Sequence, residues 1–399
     1  MLKPLFILVG SLFLIGIAPA QKEALFSGGI PVFHREKCTI PFERKGHKIY
    51  VPVTLQQSRK IYQFILDTGA FSSISQELTE ELRLNTDQAL SAGTEIKQAH
   101  LVKEKVSIRL GDMEVENFRL VSMDLSYFYQ TDPDLDGFLG SDFLRYFYVH
   151  INNPKQELVL SQYPLSYPSD RSHYQIKLQN SDKASRPKTP CQINDRWSSE
   201  ALIDTGAPFT IVFPLSLLNK QDRRRFPLIE SIGVMASWPN SSIQKNYFTR
   251  IEHFKMGMLE LNNIPVIFSN TDDIVIGQEL LLQFQIFLNY PDHEMILVPG
   301  GKIFFKSNYF STGLKVSTAK DGRTFVEAVW KGSAAEQAGL LPGTEIIKIN
   351  SIALPGLSLT EINRVLNDDR IAAIEMVVKK DDEERKVLLK KAYLLPDNN

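Results

Sequence analysis

Residues 64–70 and 201–207 of this chain repeat one another. Phe64-Ile65-Leu66-Asp67-Thr68-Gly69-Ala70 returns as Ala201-Leu202-Ile203-Asp204-Thr205-Gly206-Ala207, which sets the two aspartates 137 residues apart. The register continues downstream. Phe138-Leu139-Gly140 matches Val275-Ile276-Gly277, and Leu144, Phe147, Asn152, Pro154 and Leu160 match Leu281, Phe284, Asn289, Pro291 and Leu297. In each copy the glycine follows the aspartate by 73 residues. A spacing of that length kept in both copies marks an internal duplication. The chain is thereby restricted to a fold built from two like units.

Each unit reads as mostly β. Lys48 to Leu55 alternates between apolar and polar residues, and Ile61 to Leu66 is a short apolar run, the patterns of paired strands. Val106 to Leu110 followed by Gly111-Asp112 reads as strand and turn. Ser141 to Tyr146 and Gln278 to Gln283 suit one or two helical turns, and strands after them end at Leu160 and Leu297. Pro164, Pro168 and Ser169 fall in a linker between the units.

The pattern changes after about residue 305. Gly313 to Val316 and Arg323 to Val329 read as strands, Gly332 to Leu340 as a short helix closed by Gly339, and Glu345 to Asn350 as a further strand. Ser358 and Glu361 form a capping box ahead of Ile362, Val365 and Leu366. Ile374 to Val378 and Val387 to Leu389, joined by a charged turn, make a closing hairpin.

Composition narrows the function. With 43% hydrophobic and 23% charged residues, the 399-residue chain is globular rather than disordered or fibrous, and two or three domains are expected. A net charge of -1 lacks the basic footprint of a nucleic-acid binder. The seven histidines show no His-x-x-x-His spacing and no glycine-flanked serine elbow occurs, so zinc and serine hydrolysis find no support. Two cysteines, Cys38 and Cys191, allow at most one bridge, and they stand 29 and 13 residues before their respective aspartates. Arg223-Arg224-Arg225 reads as a solvated turn.

The N-terminus reads as an export signal. Lys3 supplies positive charge, Leu5 to Ile17 an apolar run, and Ala18-Pro19-Ala20 the small residues of a cleavage site, giving a signal peptide over residues 1–20. The run is shorter than the roughly 20 residues that span a bilayer. The expected mature protein is exported, periplasmic or secreted, with no stable membrane span after signal cleavage.

The paired apolar-apolar-Asp-Thr-Gly-Ala segments, each followed by a hydroxyl residue (Ser73, Thr210) and later by apolar-apolar-Gly, resemble the retropepsin-like branch of the aspartic proteases. The series Gly332-Ser333-Ala334-Ala335, Ala338-Gly339-Leu340, Pro342-Gly343 and Ile349-Asn350 resembles a PDZ domain of the type found in bacterial exported proteases, with Thr344 where aspartate is commonest. These resemblances imply a mainly β fold of two retropepsin-like acid-protease lobes forming an intrachain pseudo-dimer, at residues 38–162 and 173–300, followed by an α+β PDZ domain at 308–394. They imply an aspartic endopeptidase, a hydrolase without cofactor or metal, that acts as a monomer on peptide or protein substrates.

In that reading Asp67 and Asp204 are the catalytic pair. Two nearby carboxyls sharing one proton supply both base and acid, because like charges about 3 Å apart do not both ionise readily. The resemblance gives Thr68 and Thr205 the role of hydrogen bonding across the lobe junction, and Gly69 and Gly206 that of allowing a tight turn close to substrate. Ala70 and Ala207 stand where pepsin-like enzymes carry a hydroxyl, which implies a dyad that ionises at higher pH. Pro208-Phe209 replaces Phe71-Ser72, which implies a stiffer second loop. Residues 92–102 and 234–247 are the candidate flaps. Asp136 and Asp142 read as turn and cap residues without counterparts in the second copy. Thr312, Gly313 and Leu314, opposite the helix Leu359 to Leu366, are the expected PDZ site for a C-terminal peptide, so that removal of the domain weakens capture of matching proteins and spares short peptides. The alternative from another class is an inactive bilobal peptide-binding protein with a PDZ module.

Overall fold

A computed structural model of the chain describes residues 28–395, except 57, 59, 90–98, 126–127, 129–131, 133, 169–171, 181–184, 220–226, 234–243, 306–309, 320, 355–356 and 382. The signal peptide, the Arg223 to Arg225 run and most of both candidate flaps therefore lie outside the described residues; of the flaps, 99–102 and 244–247 are strand. The protein is mainly β, with short helices.

In the first repeat unit the strand Tyr62–Asp67 is covered on both faces, which is why its sequence is almost continuously apolar rather than alternating. Lys48–Leu55 pairs with it antiparallel, Tyr50 opposite Ile65. On its other side Gly137–Gly140 runs parallel, Leu139 opposite Leu66 and Gly140 opposite Asp67. This strand also pairs antiparallel with Ser73–Ser75, so the chain crosses back beneath the Asp67 loop. The second unit repeats the arrangement: Ile274–Ile276 lies parallel to Trp197–Ile203 with Ile276 opposite Ile203, and antiparallel to Ile211–Pro214.

The apolar-apolar-Gly motifs owe their glycines to this crossing. A Cβ on Gly140 would lie 2.5 Å from the Ala70 carbonyl oxygen, and one on Gly277 would lie 2.2 Å from that of Phe209. Any side chain there would push the loop away from the strand that supports it.

The units meet in a six-stranded antiparallel sheet to which each contributes three strands. At its centre Tyr148–Asn152 pairs with Phe284–Asn289, and His150 faces Phe287. Those two residues are 137 apart and their rings stack at 3.9 Å, so equivalent positions confront each other across an axis between the copies. Further ties cross the same boundary. The Asn153 amide donates to the carbonyls of Leu281 and Phe284, while Tyr290, the residue 137 positions later, has its hydroxyl 2.9 Å from Ser141 Oγ.

Past residue 310 a separate hydrophobic cluster forms around Val316, Val326, Ile346, Ile362, Ile374 and Leu389. Strands Leu314–Thr318, Thr324–Trp330, Glu345–Ile349, Ala373–Lys380 and Glu383–Lys390 surround it. The predicted capping box is present with both of its hydrogen bonds, and the helix runs Leu359–Leu366. This C-terminal unit is joined to the second repeat unit through the backbone. Ile229–Gly233 pairs antiparallel with Thr324–Trp330, Ser231 opposite Trp330 and Gly233 opposite Ala328, and one sheet runs through both.

Candidate active site

Asp67 closes the strand Tyr62–Asp67, and Asp204 directly follows Trp197–Ile203. Both side chains are fully buried. Each carboxylate is held by its own loop: Asp67 Oδ1 accepts the Gly69 N–H at 2.9 Å, and Asp204 Oδ1 accepts those of Gly206 at 2.8 Å and Ala207 at 3.0 Å. The other oxygen, Oδ2 of each, receives no donor from the surrounding loops.

The glycines show how closely the two loops meet. A Cβ on Gly69 would lie 2.3 Å from Asp204 Oδ2, and one on Gly206 would lie 2.3 Å from Asp67 Oδ2. Neither glycine adopts positive φ. Their place in the motif therefore rests on contact with the opposite aspartate rather than on a turn that only glycine could make, a different reason from the one the resemblance implies.

The threonines complete a reciprocal set of bonds. Thr68 Oγ1 donates to the Ile203 carbonyl at 2.7 Å and accepts the Thr205 N–H at 3.0 Å; Thr205 Oγ1 donates to the Leu66 carbonyl at 2.9 Å and accepts the Thr68 N–H at 3.0 Å. Four hydrogen bonds thus lock the loops together in the dry interior, where a lost partner costs about 1–3 kcal/mol. Thr68→Val or Thr205→Val is expected to lower unfolding stability by that amount and to reduce turnover more than substrate affinity, measured by denaturant titration and steady-state kinetics.

Burial comes first in holding the Asp67 carboxyl well above its ordinary value of 3.8, followed by the negative charge of Asp204 and by hydrogen bonding between the two side chains, which a shared proton supplies. Asp204 is also raised by burial, but the N–H groups of Gly206 and Ala207, the Asp67 side chain and the charge of Arg186 pull it back. Protons leave such a pair in two steps that belong to the pair.

A second layer fixes the loops from behind. Asp142 Oδ1 accepts the Ser72 N–H at 2.8 Å and the Ser72 hydroxyl at 2.7 Å, and Ser72 Oγ in turn accepts the Gly140 N–H. Burial raises Asp142 to about 6, against the bonds from Ser72. Glu279, 137 residues later, does the same for the second loop by accepting from Thr210 Oγ1 at 2.8 Å. This corrects the reading of Asp142 as a cap without a counterpart: the repeat keeps a carboxylate at that position but exchanges aspartate for glutamate, and aligning the copies by charge rather than by identity exposes it. Asp136 does act at a turn, accepting the Gln63 N–H. In the first copy Ser72, not Ser73, makes the loop contact; Ser73 Oγ is buried without a hydrogen bond.

Ala70 and Ala207 are buried beside the dyad, each 1% exposed. Thr312, Gly313 and Leu314 belong instead to the C-terminal unit. The Thr312 carbonyl accepts the Ala335 N–H, the Gly313 carbonyl accepts the Trp330 N–H, and the Gly313 N–H donates to Ser311 Oγ. Gly313 has φ +82°, and a Cβ there would lie 2.0 Å from that of Ser333. The strand Leu314–Thr318 pairs on one edge with Thr324–Trp330. Cys38 and Cys191 are both buried and unbridged.

Residues 51–143 match the family model of the aspartyl proteases. The matched stretch contains Asp67-Thr68-Gly69 and ends three residues beyond Gly140. No curated protein matches the chain.

Proposed function

We propose that this chain is an exported aspartic endopeptidase with one active site per chain, built from Asp67 of the first lobe and Asp204 of the second. The observation that carries the reading is the abutting, fully buried pair of carboxyls whose unsatisfied Oδ2 atoms face the opposite loop. With one proton between them, the ionised member takes a proton from water as that water attacks the peptide carbonyl, and the protonated member delivers its proton to the carbonyl oxygen. The proton taken from water then passes to the leaving nitrogen as the C–N bond breaks. The Thr68 and Thr205 bonds keep the reacting oxygens in place during both steps.

In this reading residues 38–162 and 173–300 are the two acid-protease lobes of a pseudo-dimer, 308–394 a PDZ domain and 1–20 a cleaved leader. Its substrates are peptides or proteins, and the strand Leu314–Thr318 with the helix Leu359–Leu366 forms a groove for a C-terminal peptide. Among the described residues no helix is long and apolar enough to cross a membrane. Incubating the mature protein with a diverse peptide library across a pH series, with and without a transition-state-mimicking inhibitor of aspartic proteases, tests the central claim. Inhibitor-sensitive cleavage is expected; binding without cleavage would favour a peptide-capturing protein instead. Recruitment by the groove is tested separately: free C-terminal peptides should raise KM for proteins with matching C-termini and leave short internal substrates unaffected.

The pH profile gives a further check. With burial holding both carboxyls up and no hydroxyl at Ala70 or Ala207 to stabilise the anion, the bell-shaped rate profile is expected to centre at about pH 5–7. Introducing Ala70→Ser and Ala207→Ser together should move it toward acid. A wild-type optimum near about pH 2–3 would contradict the assignment of the dyad's environment.

A further inference from the structure

Arg186 is a cation buried to 5% exposure that belongs to none of the repeated motifs. The strand that follows it, Pro187–Ile193, runs antiparallel to Trp197–Ile203 with Lys188 opposite Leu202. Continuing that register by two residues brings Arg186 opposite Asp204. In the first copy Tyr50 lies opposite Ile65, and the same continuation brings Lys48 opposite Asp67. Each aspartate thus has a basic residue across from it on the neighbouring strand. The copies are offset here by one residue, so a shift of 137 aligns Arg186 with Ile49, and the repeat alone does not reveal the correspondence.

The two cations are held differently. Lys48 is ion-paired with the buried carboxylate of Asp132, which also accepts the Tyr50 hydroxyl. The positive charge of Arg186 acts on Asp204 and opposes the effect of burial there, whereas the leading influences on Asp67 are burial and the negative charge of Asp204. The other titratable groups around the pair are engaged by neighbours: Asp142 with Ser72, Glu279 with Thr210, and Tyr290 with Ser141.

We propose that Arg186 is a positioning residue that breaks the symmetry of the dyad, favouring the anion on Asp204 and leaving the shared proton on Asp67. The inference rests on the protease reading for its consequence, namely that Asp204 activates water and Asp67 protonates the carbonyl. Its electrostatic core does not depend on turnover.

The test uses the full mature chain with carbon-13 in the aspartate carboxyls, comparing wild type with Arg186→Met and Arg186→Lys. Resonances are assigned with Asp67→Asn and Asp204→Asn. In Arg186→Met the Asp204 carboxyl is expected to titrate higher by about one pH unit or more, the low end of what a nearby opposite charge does. The acid limb of kcat/KM should move up with it, and Arg186→Lys should restore both. If Arg186→Met does not fold, Arg186→Gln takes its place, and should the neutral variants all fail, Arg186→Lys is titrated against Lys48→Met. An unmoved Asp204 titration overturns the proposal, as does a uniform fall in kcat at every pH with the acid limb in place, which marks a purely structural role. Should the wild type cleave nothing, the carboxyl titration still decides the role of Arg186, while the protease reading falls on its own.

Discussion

Asp204→Asn is expected to reduce peptide cleavage by at least about 10⁴-fold, because one substitution removes the shared proton and with it both the acid and the base. Asp67→Asn should do the same. Neither change should unfold the protein. Both carboxyls are raised above 3.8 in the folded state, so the stability they contribute is present below about pH 4 and is lost as pH rises through their folded values. At neutral pH an asparagine removes an unfavourable buried charge, and the variants should melt at or above the wild-type temperature. Calorimetry at pH 7 alongside the cleavage assay separates lost chemistry from lost structure. If Asp204→Asn kept near wild-type activity, the site would have to arise from two first units in different chains, and the intrachain pair would be wrong.

Deleting residues 308–399 is expected to impair cleavage of short peptides as well as of proteins. A module that only captured substrate would leave short peptides untouched. The paired strands change that expectation. Removing Thr324–Trp330 strips the edge of Ile229–Gly233, which leads toward one of the candidate flaps, and deletes the bond from the Lys331 N–H to the Glu230 carbonyl. It also uncovers Phe248 and Ile267, which are 3% and 6% exposed and pack with Trp330 and Leu395. Phe209, five residues beyond Asp204, packs against the same cluster, so the damage reaches the second active-site loop. At about 1.5–3 kcal/mol for each uncovered side chain, the second unit should lose roughly 3–6 kcal/mol, a large part of a typical domain's stability. Denaturant unfolding of the truncated chain, and kcat/KM on a short internal peptide, measure the two effects. Trp330→Ala, which removes the ring 5.4 Å from that of Phe248, is the milder version. Unchanged stability together with unchanged peptide cleavage would mean that the strand pairing carries no energetic weight.

The strands flanking Asp67 and the C-terminal capping box were legible because their signals are local: alternation, short apolar runs, and a serine three residues ahead of a glutamate. The second layer of the site was harder to see. Asp142 and Glu279 differ in identity, and what defines their role is the loop hydroxyl each one grips, Ser72 in one copy and Thr210 in the other. Sequence comparison favours Ser73 because it aligns with Thr210, yet the strand crossing turns Ser72 toward the helix. The fusion of the C-terminal unit to the second repeat unit leaves no local mark at all, since Ile229–Gly233 and Thr324–Trp330 would read as strands whatever their neighbours.

By itself the sequence determined that two like units exist, that each presents an aspartate on a loop after an apolar strand, and that a third unit of different pattern follows. Repetition and periodicity are properties of the chain, and they survive without coordinates. Which atoms meet was decided only by the tertiary structure: that Gly69 faces Asp204 and Gly206 faces Asp67, that His150 stacks on its own repeat partner Phe287, and that Arg186 comes opposite Asp204. These contacts join residues far apart in the chain, and a one-residue offset between paired strands is enough to place them. The register that sets them is fixed by burying one face of each strand and by satisfying its backbone hydrogen bonds, and that requires the whole sheet.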